Sequence, residues 1–283
     1  MTKSAQTSEL YKKLETIARD LRILALKMIT EAKSGHPGGS LSAADMMAAL
    51  FFHTMSHDPK NPLWENRDRF VLSKGHGCPI LYAAMAKAGY FPEEEIYTLR
   101  KVNSRLQGHP DHVRFPFIET SSGSLGQGLS VAQGMALAAK LNQKKYKIYC
   151  LLGDGEIQEG QVWEAAMSAP KFQLDNLIAI VDANNGQIDG HTRDVMDLDP
   201  LKKKWDAFNW DVQEINGHEF SEILTALDRA QLERQGHHKK PHMIIANTVK
   251  GKGVSFMEDN IEWHGVAPTS QQRDKAIEEL LKD

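Results

Sequence analysis

Two short apolar runs constrain this chain more than any other feature. They are Ile148 to Leu152 and Leu177 to Val181, and each ends in a small polar turn: Gly153-Asp154-Gly155 after the first, Asp182-Ala183-Asn184-Asn185-Gly186 after the second. The runs do not alternate with polar residues, so each reads as a strand buried on both faces, and the chain between them is long enough for one crossover helix. Arg69 to Leu72 and Met243 to Thr248 are runs of the same kind, and amphipathic stretches such as Leu129 to Leu141 and Phe220 to Leu232 lie between strands. Strands alternating with helices predict an α/β fold: a mostly parallel sheet flanked by helices on both faces.

Ahead of the first strand, Leu10, Leu14, Ile17, Leu21, Leu24 and Met28 fall at steps of three and four and predict one helical face. Gly35-His36-Pro37-Gly38-Gly39 breaks that helix, and Ser42 with Asp45 resembles a helix-start capping pair for a segment running to Phe52. No repeat or linker divides the 283 residues, so 1–283 reads as one domain with a helical lead-in. The His237-His238-Lys239-Lys240 run before Pro241 reads as a solvated loop.

A net charge of −3 argues against general nucleic-acid binding, which needs a basic face to displace counterions. The two cysteines, Cys78 and Cys150, make no disulfide framework and fit a reducing compartment. No stretch reaches the roughly 18 apolar residues of a membrane span, and no leader precedes the first helix, so a cytoplasmic protein is expected.

In a parallel sheet, ligands bind in the crevice at the carboxyl ends of the strands. Asp154 and Asn184 can therefore meet around one ion, with the main-chain carbonyl of Gly186 as a third oxygen ligand. Hard oxygen donors suit Mg²⁺, with Ca²⁺ as a substitute, and Mg²⁺ keeps positions open for phosphate oxygens. Glycines beside Asp154 let the backbone approach a diphosphate. The turn Gly123-Ser124-Leu125-Gly126-Gln127-Gly128 feeds the N-terminus of the next helix, where free N–H groups favour an anion. It follows no apolar strand, so it is not a nicotinamide fingerprint.

Four histidines lie between glycines or prolines in loop-like segments: His36, His76, His109 and His264. Loops at a sheet edge are where polar groups gather around substrates, and imidazole exchanges protons near neutral pH. Their spacing fits no zinc pattern. His53, His57, His112, His191 and His218 read as ordinary surface or turn residues.

Together these segments resemble the N-terminal, diphosphate-binding part of transketolase, a thiamine diphosphate enzyme. The resemblance runs from Ser34-Gly-His-Pro-Gly through Ser73-Lys-Gly-His-Gly, Gly108-His-Pro, Gly123-Ser-Leu-Gly-Gln-Gly, Gly153-Asp-Gly and Asn184-Asn-Gly-Gln-Ile-Asp-Gly190 to Trp263-His-Gly265. Glu156-Ile-Gln-Glu-Gly-Gln-Val-Trp-Glu-Ala is similar to the version split into two polypeptides. The resemblance implies a diphosphate-binding (PP) fold in which Asp154, Asn184 and the Gly186 carbonyl hold Mg²⁺. It implies that Gly123, Ser124, Leu125 and Gly155 line thiamine diphosphate, that His76 contacts the diphosphate, and that His36, His109 and His264 face the substrate channel, His264 close to the cofactor as well. Glu159 matches a glutamate at the contact between paired active sites. The family transfers a two-carbon ketol unit from a ketose to an aldose, commonly as sugar phosphates. The glutamate that hydrogen-bonds the aminopyrimidine ring belongs to a pyrimidine-binding domain absent here, as is the C-terminal domain. A partner chain supplying both, in a heterotetramer of two copies of each, is therefore implied. The segment around Asn185-Gly186, Lys74 and Ser40 depart from the pattern of many one-chain relatives.

Other readings are the diphosphate-binding subunit of a 2-oxoacid dehydrogenase, a deoxyxylulose-phosphate synthase lacking its remaining domains, and a regulatory or structural homologue without catalysis. The Gly-His-Pro-Gly, Lys-Gly-His-Gly and Trp-His-Gly segments favour sugar chemistry, since several histidines must address polyol hydroxyls.

Overall fold

The computed structural model describes residues 3–232 and 239–282. Helix α1 (Lys3–Ala32) leads into α2 (Pro37–Ser42) and α3 (Ala44–Ala49), followed by β1 (Arg69–Leu72) and α4 (Cys78–Ala88). Then come α5 (Gly128–Leu141), β2 (Ile148–Gly153), α6 (Gly160–Lys171), β3 (Leu177–Ala183) and a small hairpin, β4 (Gly186–Gln187) with β5 (Gly190–His191). The chain closes with α7 (Thr192–Val195), α8 (Leu201–Ala207), β6 (Asp211–Asn216), α9 (Phe220–Gln231), β7 (His242–Asn247) and α10 (Ser270–Leu280). Five strands form one all-parallel sheet in the order β1-β2-β3-β7-β6.

Side chains leave a strand alternately to its two faces, and here both faces are buried. Tyr149, Leu151, Ile178, Ile180 and Ile244 pack with residues of α1, α3, α4 and α9 on one face. Ile148, Cys150, Leu152, Ala179, Val181 and Ile245 pack with α5, α6 and α8 on the other. This double burial is why β2 and β3 are apolar throughout, and it bears out the expected parallel α/β sheet. Strand β6 goes beyond the expected set. It lies at one sheet edge, with only Val212 and Ile215 buried, one on each face, among polar Asp211, Gln213, Glu214 and Asn216, so it lacks the continuous apolar run of a central strand.

The capping pair is corrected. Ser42 is the last residue of α2, and neither it nor Asp45 caps α3. Ser42 donates instead to Asp182 at 2.6 Å. Asp45 is buried, taking Arg22 through two oxygens at 3.2 and 2.5 Å and His218 Nδ1 at 2.6 Å. His218 Nε2 accepts the Val249 N–H at 2.8 Å, so Nδ1 carries the proton and donates to Asp45. The chain does break at Gly35, but Pro37 begins α2 at once, since a ring-fixed φ suits a first helical turn. His237 and His238 lie outside the described residues; Lys239 and Lys240 are half-buried, with Lys239 3.4 Å from Asp175. Among the described residues no helix is long and apolar enough to cross a membrane.

Candidate functional site

Parallel pairing of β2 with β3 sets Gly153 beside Asp182, so the turns that follow open on one edge. Asp154 is 5% exposed and its carboxylate accepts the N–H of Gly155 at 2.8 Å and the N–H of Asn185. Asn185 takes a left-handed conformation (φ 56°), which asparagine tolerates, and this reverses the chain so that its own N–H meets Asp154. The Asn184 amide oxygen accepts the Gly186 N–H at 3.1 Å, while its amide nitrogen donates to Asp182 at 3.0 Å and Ser42 at 3.2 Å. Those two donations fix which end of the amide is nitrogen and which is oxygen. Asp154 and Asn184 thus lie at one edge of the sheet and line the same cavity.

Two lysines complete the arrangement. Lys250 follows the tip of β7 and donates to the Gly186 carbonyl at 3.0 Å. A Cβ at residue 186 would lie 2.7 Å from the Lys250 stem and 2.9 Å from Ile261, so the close approach of both side chains calls for glycine there. Lys74, 1% exposed, donates to the Gly39 carbonyl at 2.9 Å and is ion-paired with Asp182, which is fully buried. Burial alone would raise the Asp182 carboxyl, but Lys74 and the Ser42 and Thr248 hydroxyls hold it below the ordinary carboxylate range. Ser40 is buried and donates to the His36 carbonyl at 2.7 Å, shaping the turn that presents the imidazole.

Burial, and next the charge of Asp182, pushes Asp154 up to about 6. Burial pushes Lys250 down to about 8, although Asp154 attracts it. Asp154 is thus a buried carboxylate hydrogen-bonded by neutral N–H groups, with the Lys250 ammonium as an attractive charge nearby. Asp154, Asn184 and Gly186 line one cavity, and oxygen donors of this kind suit a hard divalent ion, although each also accepts a hydrogen bond from within the protein. No set of three His, Cys, Asp or Glu side chains is arranged to hold a metal among the described residues.

His36, His76 and His264 form a triangle beside these oxygens, with ring centroids 5.1, 5.4 and 5.6 Å apart. They wall a cavity of about 330 Å³ that Asp154, Asn184, Gly186 and Lys250 also line. Nδ1 of His36 and of His264 is buried without a hydrogen-bond partner among the described residues, as expected of groups that meet a ligand. Leu125, Gly123, Gly155 and Glu159 line the same cavity, whereas Ser124 is exposed on the turn and outside its wall. His109 is exposed at the rim, its ring 3.2 Å from where a Cβ on Gly123 would sit. In the sequence Lys74 stands out only as a departure from relatives, and Lys250, Asp182 and Glu156 carry no role of their own. Lys250 could have been found, because Lys250-Gly-Lys-Gly follows a strand tip as Gly153-Asp-Gly does. A larger cleft of about 460 Å³ beside α1 has Arg22, Asp45 and His218 in its wall, and those groups satisfy one another.

Burial, followed by neighbouring cations, holds all three imidazoles down: His36 to about 4, His264 to about 3 and His76 to about 2. All are neutral at pH 7, able to donate and accept at once. An unfolded histidine titrates near 6.5, so below that pH the unfolded chain binds protons that the folded chain refuses. Stability present above pH 6.5 is therefore lost as pH falls, toward about 4 for His36 and toward about 2 for His76, by roughly 1 kcal/mol per pH unit for His76. Thermal denaturation at stepped pH checks this: His76→Asn should flatten the decline, and an equally steep curve would refute it.

Comparison with known proteins agrees with this fold. The family model described as "Transketolase, thiamine diphosphate binding domain" matches residues 14–280. The 6-deoxy-6-sulfo-D-fructose transketolase subunit SqwG of Clostridium sp. (strain MSTE9) is 48% identical over 95% of this chain and 97% of its own length. An apulose-4-phosphate transketolase subunit of Phocaeicola vulgatus is 43% identical over 94% of this chain and 93% of its own. The crystal structure of transketolase from Campylobacter jejuni superposes with a TM-score of 0.88 at 37% identity, covering 94% of this chain and 42% of that one. The chain thus spans about two fifths of that transketolase and nearly all of the two subunits. A parallel sheet whose strand tips gather oxygen donors, and a family match along almost its whole length, lead to one conclusion: this chain belongs to the transketolase family, as a thiamine-diphosphate-binding subunit.

Proposed function

We propose that residues 1–283 form a single diphosphate-binding domain that works with a pyrimidine-binding partner chain, two copies of each making a cytoplasmic heterotetramer. Asp154, Asn184 and the Gly186 carbonyl hold Mg²⁺, or Ca²⁺ in its place, against the diphosphate of thiamine diphosphate. The observation that carries this reading is the buried Asp154 carboxylate, met by neutral N–H groups and facing a cavity walled by three neutral histidines. When bound, the cofactor supplies the electron sink for breaking a carbon–carbon bond beside a ketose carbonyl. The chain's own residues bind and orient it: Gly155, Gly123 and Leu125 along the cofactor, His76 and Lys250 toward its phosphates, and Glu159 toward the paired site. His36 and His264, with His109 at the rim, hold and move protons on substrate hydroxyls.

The substrates in this reading are a ketose or ketose phosphate donor and an aldose or aldose phosphate acceptor, as in pentose phosphate chemistry. Relatives named for a sulfosugar and for apulose 4-phosphate support sugar chemistry over 2-oxoacid chemistry. The purified chain alone is expected to bind thiamine diphosphate weakly and to transfer no ketol unit, and co-expression with the partner is expected to restore both. A donor–acceptor sugar screen on the co-purified complex, with 2-oxoacids as rival donors, tests the reading. Turnover by rigorously purified chain alone, or decarboxylation of 2-oxoacids in place of ketol transfer, would sink it.

A further inference from the structure

We infer that Glu156 is a positioning residue: one buried carboxylate that ties three separate segments of the cofactor cavity into a single cradle. It is 2% exposed, lies two residues past Asp154 and lines the cavity. One oxygen accepts the Gly153 N–H at 3.0 Å. The other accepts the Gly126 N–H at 3.0 Å and the Ser73 hydroxyl. Ser73 Oγ in turn accepts the Gly128 N–H at 3.1 Å. The segments so joined are the end of β2 with Asp154, the glycine turn carrying Gly123 and Leu125, and the stretch after β1 carrying Lys74 and His76.

They are packed too closely for any larger residue at the contacts. A Cβ at Gly128 would lie 2.4 Å from the Ser73 side chain, and one at Gly75 would lie 2.7 Å from the Gly123 nitrogen. At Gly126, where φ is +81°, it would lie 2.6 Å from Glu159. Such contacts hold backbone N–H groups at fixed positions around the cavity, and a small displacement of any segment moves a cofactor contact.

The carboxylate is required as such, because both of its oxygens accept. A glutamine has one accepting end, so in either orientation its NH₂ would face an N–H donor. A buried anion held only by neutral donors carries a desolvation penalty. A neutral side chain could fill the same space in a fold with no ligand to position, so the penalty is consistent with a role in the cradle.

This inference rests on the proposed metal–diphosphate site, and the test separates the two. Affinity for thiamine diphosphate at saturating Mg²⁺ would be measured by calorimetry on the co-purified complex, with melting curves of the cofactor-free chain alongside. Glu156→Gln is expected to weaken binding about 10-fold or more with little change in melting temperature, and to recover kcat at saturating cofactor. Ser73→Ala should weaken it less, and the double variant should match Glu156→Gln alone, since the two act as one unit. A purely structural role would instead lower the melting temperature and give additive effects. Affinity within about twofold of wild type in Glu156→Gln overturns the inference. If that variant does not fold, Ser73→Ala decides, and unchanged affinity there overturns it as well. Asp154→Ala is the control. If it abolishes binding while Glu156→Gln does not change it, only the cradle role fails; if neither variant changes affinity, the metal–diphosphate reading fails first.

Discussion

Asp154→Asn is expected to weaken Mg²⁺-dependent binding of thiamine diphosphate at least about 100-fold and to raise the melting temperature of the cofactor-free chain. The loss follows from removing the one carboxylate among the candidate ion ligands. The gain follows from its surroundings. Burial and Asp182 push the Asp154 carboxyl up to about 6, so the ionised form present at neutral pH is disfavoured by the fold. A raised carboxyl favours the folded state as pH falls from about 6 through its unfolded value, and works against it above that range. Asparagine removes this disfavoured charge, although its NH₂ end then faces the N–H of Gly155 or of Asn185, which offsets part of the gain. Lys250 loses an attractive partner in the variant, which trims the gain. Differential scanning calorimetry with and without Mg²⁺ and thiamine diphosphate reads both effects. A variant that keeps its affinity, or melts lower without cofactor, would contradict this account of the site.

Lys74→Met is expected to destabilise the chain by about 3–5 kcal/mol, because it leaves the Asp182 carboxylate fully buried without its cation. The damage should spread to the site, since Asp182 also receives the Asn184 amide and the Ser42 hydroxyl. A freed Asn184 amide can turn its nitrogen forward and cease to be an oxygen ligand. The double variant Lys74→Met/Asp182→Asn removes both charges and should recover most of the stability, as replaced buried pairs commonly do. Chemical denaturation of the single and double variants measures this. Equal stability in wild type and Lys74→Met would mean that the pair contributes nothing.

Much of the fold was legible because the central strands carry an unmistakable pattern. β1, β2, β3 and β7 sit between two helical layers, so they have no polar face to obscure them. β6 was illegible for the converse reason: only Val212 and Ile215 are buried, one on each face, and its four polar residues make the run resemble loop. The Ser42–Asp45 pair misled because local spacing can suggest a cap, while the partners that claimed both side chains, Asp182, Arg22 and His218, are distant in sequence.

By itself the sequence determined the parallel sheet, the candidate ion ligands at two strand tips and the family resemblance, because each depends on residues close together in the chain. Only the tertiary structure decided which histidines converge, with His36, His76 and His264 in one wall and His109 at the rim. It alone brought Lys74, Lys250 and Glu156 to the cavity and set the charge state of each buried group. Desolvation and pairing depend on neighbours folded in from many residues away, and no local pattern encodes them.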